Sequence, residues 1–261
     1  MVHFTAYKIL ARMGYAARGI IYLTIGALAF LSIMGFGDER PGSRGAILSL
    51  RSQPYGEGLL ILLAAGLVGY VVWRLIQAIN DSDEHGYSIK GLAIRAGLLI
   101  SAVSHGALCY WILKLLWLTQ EDSSSRSASS VLSDYVASEF QVVVFGGIGL
   151  IVIGIGVAHL IKGFQGGFKD YMEFPSTKRL WMVPICQFGL MARGVVWGIV
   201  GWIILRSAFE AGTSREQGIK QAFEWLSQAP YGNELVLVTA VGLFAFGAYS
   251  CLETLYRRVE K

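Results

Sequence analysis

Long apolar segments alternate with short polar segments along the whole chain. Six of them exceed the roughly 20 residues that a helix needs to cross the hydrocarbon core of a bilayer. They lie at 13–36, 57–79, 91–118, 140–161, 181–205 and 235–256. Six runs of this length are not typical of the buried helices of a soluble protein. The pattern therefore predicts an all-α integral membrane protein with six transmembrane helices, in a single membrane domain over residues 1–261.

Composition and charge agree with this prediction and add an orientation. Hydrophobic residues make up 54% of the chain and charged residues 15%, whereas a soluble domain carries about 25% charged residues. If the N-terminus is cytoplasmic, the inner segments hold eleven Lys and Arg residues and the outer loops hold six. This bias predicts that both termini lie inside. The net charge of +4 then reflects topology and the lipid bilayer as partner, and no nucleic acid is expected.

The sequence also repeats itself. At an offset of 175, five residues of the first apolar run meet identical residues of the fifth: Gly14, Ala17, Arg18, Gly19 and Gly26 meet Gly189, Ala192, Arg193, Gly194 and Gly201. At an offset of 176, Pro54-Tyr55-Gly56 meets Pro230-Tyr231-Gly232, and apolar positions before each turn predict a short amphipathic helix. A weaker copy lies between them at an offset of 83, where Arg12 and Gly14 meet Arg95 and Gly97.

The repeating unit is a pair of helices that occurs three times, over residues 1–85, 86–175 and 176–261. Each unit holds an even number of spans, so the three copies share one orientation in the membrane. Parallel copies are related most simply by an axis along the membrane normal. The sequence therefore predicts three parallel helix-pair repeats around a pseudo-threefold axis.

The motif G-x-x-A-R-G opens the first helix of the first and third copies, and P-x-G precedes their second helix. These features resemble a bacterial membrane family catalogued as domain of unknown function 1206. The likeness covers nearly the whole chain, although the middle copy has Ser101 where the arginine would be. The resemblance implies the six-helix architecture and a bacterial cytoplasmic (inner) membrane location. It implies no activity.

Residues four apart lie on one face of a helix, and the first helices of the three copies carry matching faces. Compared across the copies, these faces form four layers: Gly14, Gly97 and Gly189; Arg18, Ser101 and Arg193; Tyr22, His105 and Trp197; Gly26, Cys109 and Gly201. The glycine layer favours close contact between helices. We therefore expect the three faces to meet at a common centre, with the two polar layers next to the glycines.

Three interpretations of Arg18 and Arg193 are open. Each lies about four residues, or roughly 6 Å, past the first glycine of its run, so its guanidinium can snorkel to the headgroups. Alternatively it forms a buried structural pair, for which Glu253 is the expected partner of Arg193. The third interpretation is contact with an anionic ligand. Because the counterpart of Glu253 near Arg18 is the neutral Gln77, Arg18 is expected to be the less satisfied arginine.

The sequence contains no nucleophile motif, metal-ligand set or acid–base pair, so we expect no enzyme, cofactor or bound metal. The first hypothesis is binding or transport of a small anionic or amphipathic molecule at the cytoplasmic side of a helix-lined centre. The residues that would contact this molecule are Arg18, Arg193, Ser101, Tyr22, His105 and Trp197.

Two other functions follow from different residues. In one, the chain is an accessory subunit of a larger membrane complex, and Gly146, Gly149 and Gly156 form its docking face for a membrane protein partner. In the other, it is a haem or redox protein that uses His105. Depth argues against a haem shared with His159, since His105 is roughly 21 Å into its run and His159 about 5 Å from the end of its own.

Overall fold

The computed structural model describes residues 2–35, 43–117, 138–209, 225–228 and 230–258. Within them the chain forms α-helices joined by turns, with a short 3₁₀ turn at Lys169–Tyr171. The helices are α1 (Val2–Ile33), α2 (Ser43–Arg51), α3 (Gly56–Asn80), α4 (Ile89–Trp117), α5 (Ser138–Gln165), α6 (Arg179–Phe209) and α7 (Gly232–Tyr256). All except α2 are long and apolar enough to cross a membrane. The predicted all-α class and the six apolar spans are confirmed.

The spans are enclosed to different extents. In their most apolar stretches, α3 and α7 bury at least half of the residues, whereas α5 buries less than a fifth. The remaining apolar side chains face outward, as they do in a protein whose surroundings are lipid tails. Exposed aromatic residues lie at the helix ends, among them Tyr55, Tyr87, Trp117 and Tyr231. Such positions are typical of membrane interfaces.

Each span packs against particular neighbours. The second helix of each predicted pair lies against the first helix of the next pair, so that α3 contacts α4, α5 contacts α6, and α7 contacts α1. Within pairs, α1 contacts α3 and α6 contacts α7. The described residues of α4 and α5 do not pack extensively on each other. The order of neighbours is therefore α4, α3, α1, α7, α6 and α5.

Glycines allow the closest helix contacts. A Cβ atom on Gly19 would lie 3.2 Å from the carbonyl oxygen of Gly247, and one on Gly194 would lie 2.8 Å from that of Gly156. Between membrane helices, glycine usually lets two backbones come closer together than a side chain would allow. These contacts fix α7 on α1 and α5 on α6.

The expected layer of three glycines at a common centre is wrong. A Cβ on Gly14 would lie 2.5 Å from Cα of Tyr70, and one on Gly189 would lie 2.6 Å from Cα of Phe246. Each glycine therefore makes room for the second helix of its own pair. Gly97 in the middle copy has no such neighbour within 4 Å.

The connection into the second span has the same structure in the first and third copies. Tyr55 and Tyr231 both adopt left-handed backbone angles, with φ of 64° and 59°. The glycine that follows lies against the preceding turn, where a Cβ on Gly56 would overlap the carbonyl oxygen of Arg51. Helix α2 confirms the amphipathic helix predicted before this turn in the first copy. Its predicted counterparts lie largely outside the described residues.

The C-terminal end of α7 is joined to the segment after α5. Met172 and Arg257 form an isolated antiparallel bridge. The backbone N–H of Glu173 donates to the carbonyl oxygen of Tyr256 at 2.8 Å, and that of Arg258 donates to Tyr171 at 3.0 Å. These bonds hold the last turn of α7 against the loop that connects α5 to α6.

We expect Gly56→Ala to destabilise the protein by about 1–3 kcal/mol, because the added methyl overlaps backbone atoms that have to move. The measurement is the thermal unfolding midpoint of the protein in detergent. Gly58→Ala is the control, since a Cβ at Gly58 meets no atom within 4 Å. Equal midpoints for the two variants would contradict the close packing of this turn.

Candidate functional site

Arg18 lies near the middle of α1 with only 2% of its surface exposed. Its Nε donates to Ser250 Oγ at 3.0 Å, its Nη1 donates to the Tyr70 hydroxyl at 2.8 Å, and its Nη2 donates to Glu253 Oε2. The partners belong to α3 and α7, so one guanidinium joins three helices. Burial and a partner for each of the three guanidinium nitrogens exclude snorkelling for Arg18.

The expected pair between Arg193 and Glu253 is wrong. Helix α7 lies between α1 and α6, and it turns Ser250 and Glu253 toward Arg18 on α1. The second carboxylate oxygen of Glu253 accepts from Arg257 Nη1 at 2.9 Å. Both oxygens of Glu253 are thus used by arginines other than Arg193.

A series of polar contacts extends from Glu253 toward the end of the helix bundle. Arg257 Nη2 donates to Asp83 Oδ2 at 3.2 Å, and Gln77 Nε2 donates to the same oxygen at 2.6 Å. Arg74 Nη1 donates to Gln77 Oε1 at 2.9 Å. Burial lowers the pKa of the Arg257 guanidinium, but Tyr15, Glu253 and Asp83 raise this pKa by more than burial lowers it. The net shift is upward, so Arg257 stays charged.

Tyr70 connects Arg18 to the middle copy. Its hydroxyl lies 3.3 Å from Ser101 Oγ, and its ring centroid is 4.6 Å from that of His105. His105 Nδ1 lies 2.8 Å from the carbonyl oxygen of Ser101. A carbonyl only accepts, so Nδ1 carries the proton and Nε2 keeps a free lone pair. Ser101 and His105 are therefore near Arg18, as the layered faces predict, with Tyr70 between them.

Arg193 is the less satisfied arginine, and the expectation that it would be Arg18 is wrong. Arg193 is 7% exposed, and its Nε is buried without a hydrogen-bond partner. No other residue in the described ranges forms a hydrogen bond or an ion pair with it. Its guanidinium carbon lies 4.4 Å from the ring centroid of Phe246 and 5.3 Å from that of Tyr22. Aromatic faces attract the cation but do not neutralise it.

Phe246 contacts residues of both polar layers. Its ring lies 5.2 Å from the guanidinium carbon of Arg18, and its centroid is 4.8 Å from that of Tyr22. The structure thus brings Arg18, Arg193 and Tyr22 around one ring. Trp197 is half-buried and has no hydrogen bond or ring contact with these residues in the part of the chain that the structure describes.

Tyr70 and Phe246 connect the site, although neither is among the site residues that the sequence predicts. A signal was present, because the two residues correspond at the repeat offset of 176 and both are aromatic. The layers predicted from the sequence contain residues of the first helices alone. The second helices supply Tyr70, Phe246, Ser250 and Glu253, which are four of the side chains that contact Arg18 or Arg193.

His159 repeats the arrangement of His105. Its Nδ1 lies 2.8 Å from the carbonyl oxygen of Ile155, so its Nε2 also has a free lone pair. The charge of Arg193 interacts electrostatically with both imidazoles. No described contact joins His105 to His159, so the depth argument against a shared haem stays a prediction. Haem binding stays a prediction, to be tested by the optical spectrum of the purified protein.

The docking face expected on α5 is used inside the chain. A Cβ on Gly149 would lie 2.9 Å from the carbonyl oxygen of Gly201, and one on Gly156 would lie 2.8 Å from that of Gly194. Both glycines therefore pack against α6, and Gly146 faces Leu205 of the same helix at 4.0 Å. The prediction that these glycines receive a partner helix is wrong.

We expect Glu253→Gln to lower the free energy of unfolding by about 3–5 kcal/mol, because it leaves buried Arg18 without a carboxylate and Arg257 with Asp83 alone. Thermal unfolding in detergent measures the change. Glu234→Gln is the matched control, since Glu234 is exposed in the first turn of the same helix. A Glu253→Gln variant as stable as the control would show that the ion pair does not hold the fold.

Known proteins place the chain in a family. The profile of the family described as Domain of Unknown Function (DUF1206) matches residues 13–81 and 188–257, which together exceed half of the chain. The uncharacterized protein YxxB of Bacillus subtilis (strain 168) is 28% identical over 258 residues, covering 97% of this chain and 92% of its own length. No solved structure matches the chain significantly. The two profile matches correspond to the first and third helix pairs, and the chain belongs to the DUF1206 family.

Proposed function

We propose that this protein is a non-catalytic membrane protein that binds, or transports, a small anionic or amphipathic molecule at a helix-lined centre. The observation that carries the proposal is Arg193, a buried guanidinium without a counter-ion among the described residues. An isolated buried charge is strongly unfavourable. A bound anion would supply the missing partner.

The balance of charge around Arg193 supports an anion rather than a cation. The arginines of the described cluster are Arg18, Arg74, Arg193 and Arg257, and its carboxylates are Glu253 and Asp83. Arginine is effectively always charged in proteins. The cluster thus has two more positive than negative groups, and a ligand with one or two negative charges would neutralise it.

The residues around the charged groups suit a molecule that also has an apolar part. Tyr22 and Phe246 present ring surfaces beside Arg193. His105 offers an Nε2 lone pair to a hydroxyl or amine donor, and Ser101 lies next to it. In this proposal Trp197, one turn beyond Arg193 on α6, is the remaining wall. Such a mixture of apolar walls and few polar groups is typical of small-molecule sites.

We also propose that the three helix pairs surround a pseudo-threefold axis along the membrane normal. The support is that one packing rule holds at all three junctions, where the second helix of a pair lies on the first helix of the next. The junctions share atomic detail as well. The thiol of Cys109 lies 3.5 Å from the carbonyl oxygen of Ala64, and Gly26 packs against that of Ala240, the counterpart of Ala64.

For orientation we propose a bacterial cytoplasmic (inner) membrane location with both termini in the cytoplasm. The support is the distribution of Lys and Arg between alternate connections. The site would then open toward the cytoplasm, because Asp83, Arg257 and the C-terminal end of α7 lie beside it.

A membrane-impermeant maleimide tests this orientation in intact cells. We expect Tyr231→Cys to be labelled without permeabilisation and Tyr87→Cys only after it, because these exposed positions lie at opposite ends of the bundle. The wild-type chain is the control for background labelling, since Cys109 and Cys186 are buried and the half-buried Cys251 lies within α7. The reverse labelling pattern would invert the topology.

Native mass spectrometry of protein extracted in lipid nanodiscs tests binding. We expect a non-protein mass on the wild-type chain that is lost from Arg193→Gln and kept by Arg179→Gln. Arg179 is the matched control, because it is exposed at the start of the same helix. A wild-type chain without a bound molecule, or an unchanged mass on Arg193→Gln, would contradict the proposed function.

The alternative is an accessory subunit of a larger membrane complex. It would use the outward face of α5, which is the least buried of the six spans. Gentle solubilisation would then yield a complex with a second polypeptide. Migration as a single chain in native lipid would contradict this alternative.

A further inference from the structure

We propose that the crossing of α5 and α6 is an oxyanion subsite, in which Arg193 and Lys162 hold the carboxylate or phosphate group of the bound molecule. The subsite rests on the proposed function and specifies its chemistry. At the matching crossing of α7 and α1 the chain supplies its own carboxylate, Glu253. At the crossing of α5 and α6 the ligand would supply it.

The two crossings match in atomic detail. At the first, Cβ atoms on Gly19 and Gly26 would contact the carbonyl oxygens of Gly247 and Ala240. At the second, Cβ atoms on Gly194 and Gly201 would contact the carbonyl oxygens of Gly156 and Gly149. Each residue on α5 stands 91 positions before its counterpart on α7, and the neighbours Leu160 and Cys251 keep the same offset. The helices therefore cross with one register.

This register identifies what faces each arginine. Arg18 has Ser250 and Glu253 as partners on α7. The corresponding positions on α5 are His159 and Lys162. A cation thus occupies the place of the carboxylate, and Phe246 occupies the place of Tyr70, so the hydrogen-bond partners of Arg18 have no equivalents around Arg193.

Lys162 has no ion-pair partner among the described residues, although the carboxylates Glu253 and Asp83 attract its charge from farther away. Its Nζ lies 5.2 Å from the ring centroid of Tyr171, and no described residue forms an ion pair or a hydrogen bond with it. A guanidinium and an ammonium on facing helices can together donate to the several oxygens of one phosphate or carboxylate. His159, in the place of Ser250, adds the free lone pair of Nε2, which can accept from a protonated ligand oxygen.

A charge reversal at Lys162 tests the subsite directly. Lys162→Glu recreates the carboxylate of the matching crossing, so we expect it to replace the ligand. Its thermal midpoint should rise by at least about 2 °C in anion-poor buffer, and it should no longer respond to added anions. Lys90→Glu has the same change in charge at an exposed position and is the control. Its midpoint should keep the wild-type response.

The source of the oxyanion is distinguished by the thermal midpoint of delipidated wild-type protein after one of three additions: phosphate, acetate or phosphatidylglycerol. Phosphatidylcholine is the neutral lipid control. A stabilising effect of phosphate or acetate, at ionic strength matched with chloride, identifies a free anion. An effect of phosphatidylglycerol alone identifies a lipid headgroup. In either case Arg193→Gln should weaken the apparent affinity about 10- to 100-fold, the loss expected for a charged hydrogen bond.

Two results would overturn the subsite. One is wild-type protein that none of these anions stabilises. The other is Lys162→Glu and Arg193→Gln variants that respond like wild type. If these variants still carry the molecule found on the wild-type chain, the subsite is wrong while binding elsewhere at the centre stands. If the wild-type chain carries no molecule, the proposed function fails as well.

Discussion

The buried ion pair between Arg18 and Glu253 is the interaction on which the arrangement of α1, α3 and α7 depends. Neither group is stable alone in an apolar interior, so each restricts where the other helix can lie. Tyr70 and Ser250 complete the hydrogen bonding of the guanidinium. Helix packing in a membrane gains little from burying apolar side chains, which makes such polar contacts and close glycine crossings the main determinants of neighbour choice.

The same helix crossing occurs twice, once with a neutral ion pair and once with two cations. Where α7 crosses α1, the arginine meets a carboxylate and the junction is neutral. Where α5 crosses α6, the arginine and the residue opposite are both cationic, and the backbone geometry is unchanged. One copy of the repeat thus acts as structure, and the other leaves positive charge in the core. Divergence of a repeated unit in this way allows a binding function without loss of the fold.

The sequence alone predicted the spans, the repeat and the importance of Arg18 and Arg193, because apolar length and glycine spacing are local properties. The partners of the arginines were misassigned because they depend on which helices are neighbours. Glu253 lies at a suitable depth for either arginine, and because α7 neighbours both α1 and α6, only the face of α7 that is turned toward α1 decides between them. Gly149 and Gly156 were misassigned for the same reason, since a small-residue face predicts a close contact but does not identify the helix that makes it.

Arg18 and Glu253 are separated by 235 residues along the chain. Because synthesis proceeds from the N-terminus, α1 is made long before its counter-charge emerges from the ribosome, and in the proposed membrane location it would enter the bilayer unpaired. A truncated product that lacks α7 therefore exposes an uncompensated arginine within the lipid phase. The junction of α1 with α7 can therefore form only after the last helix has been made.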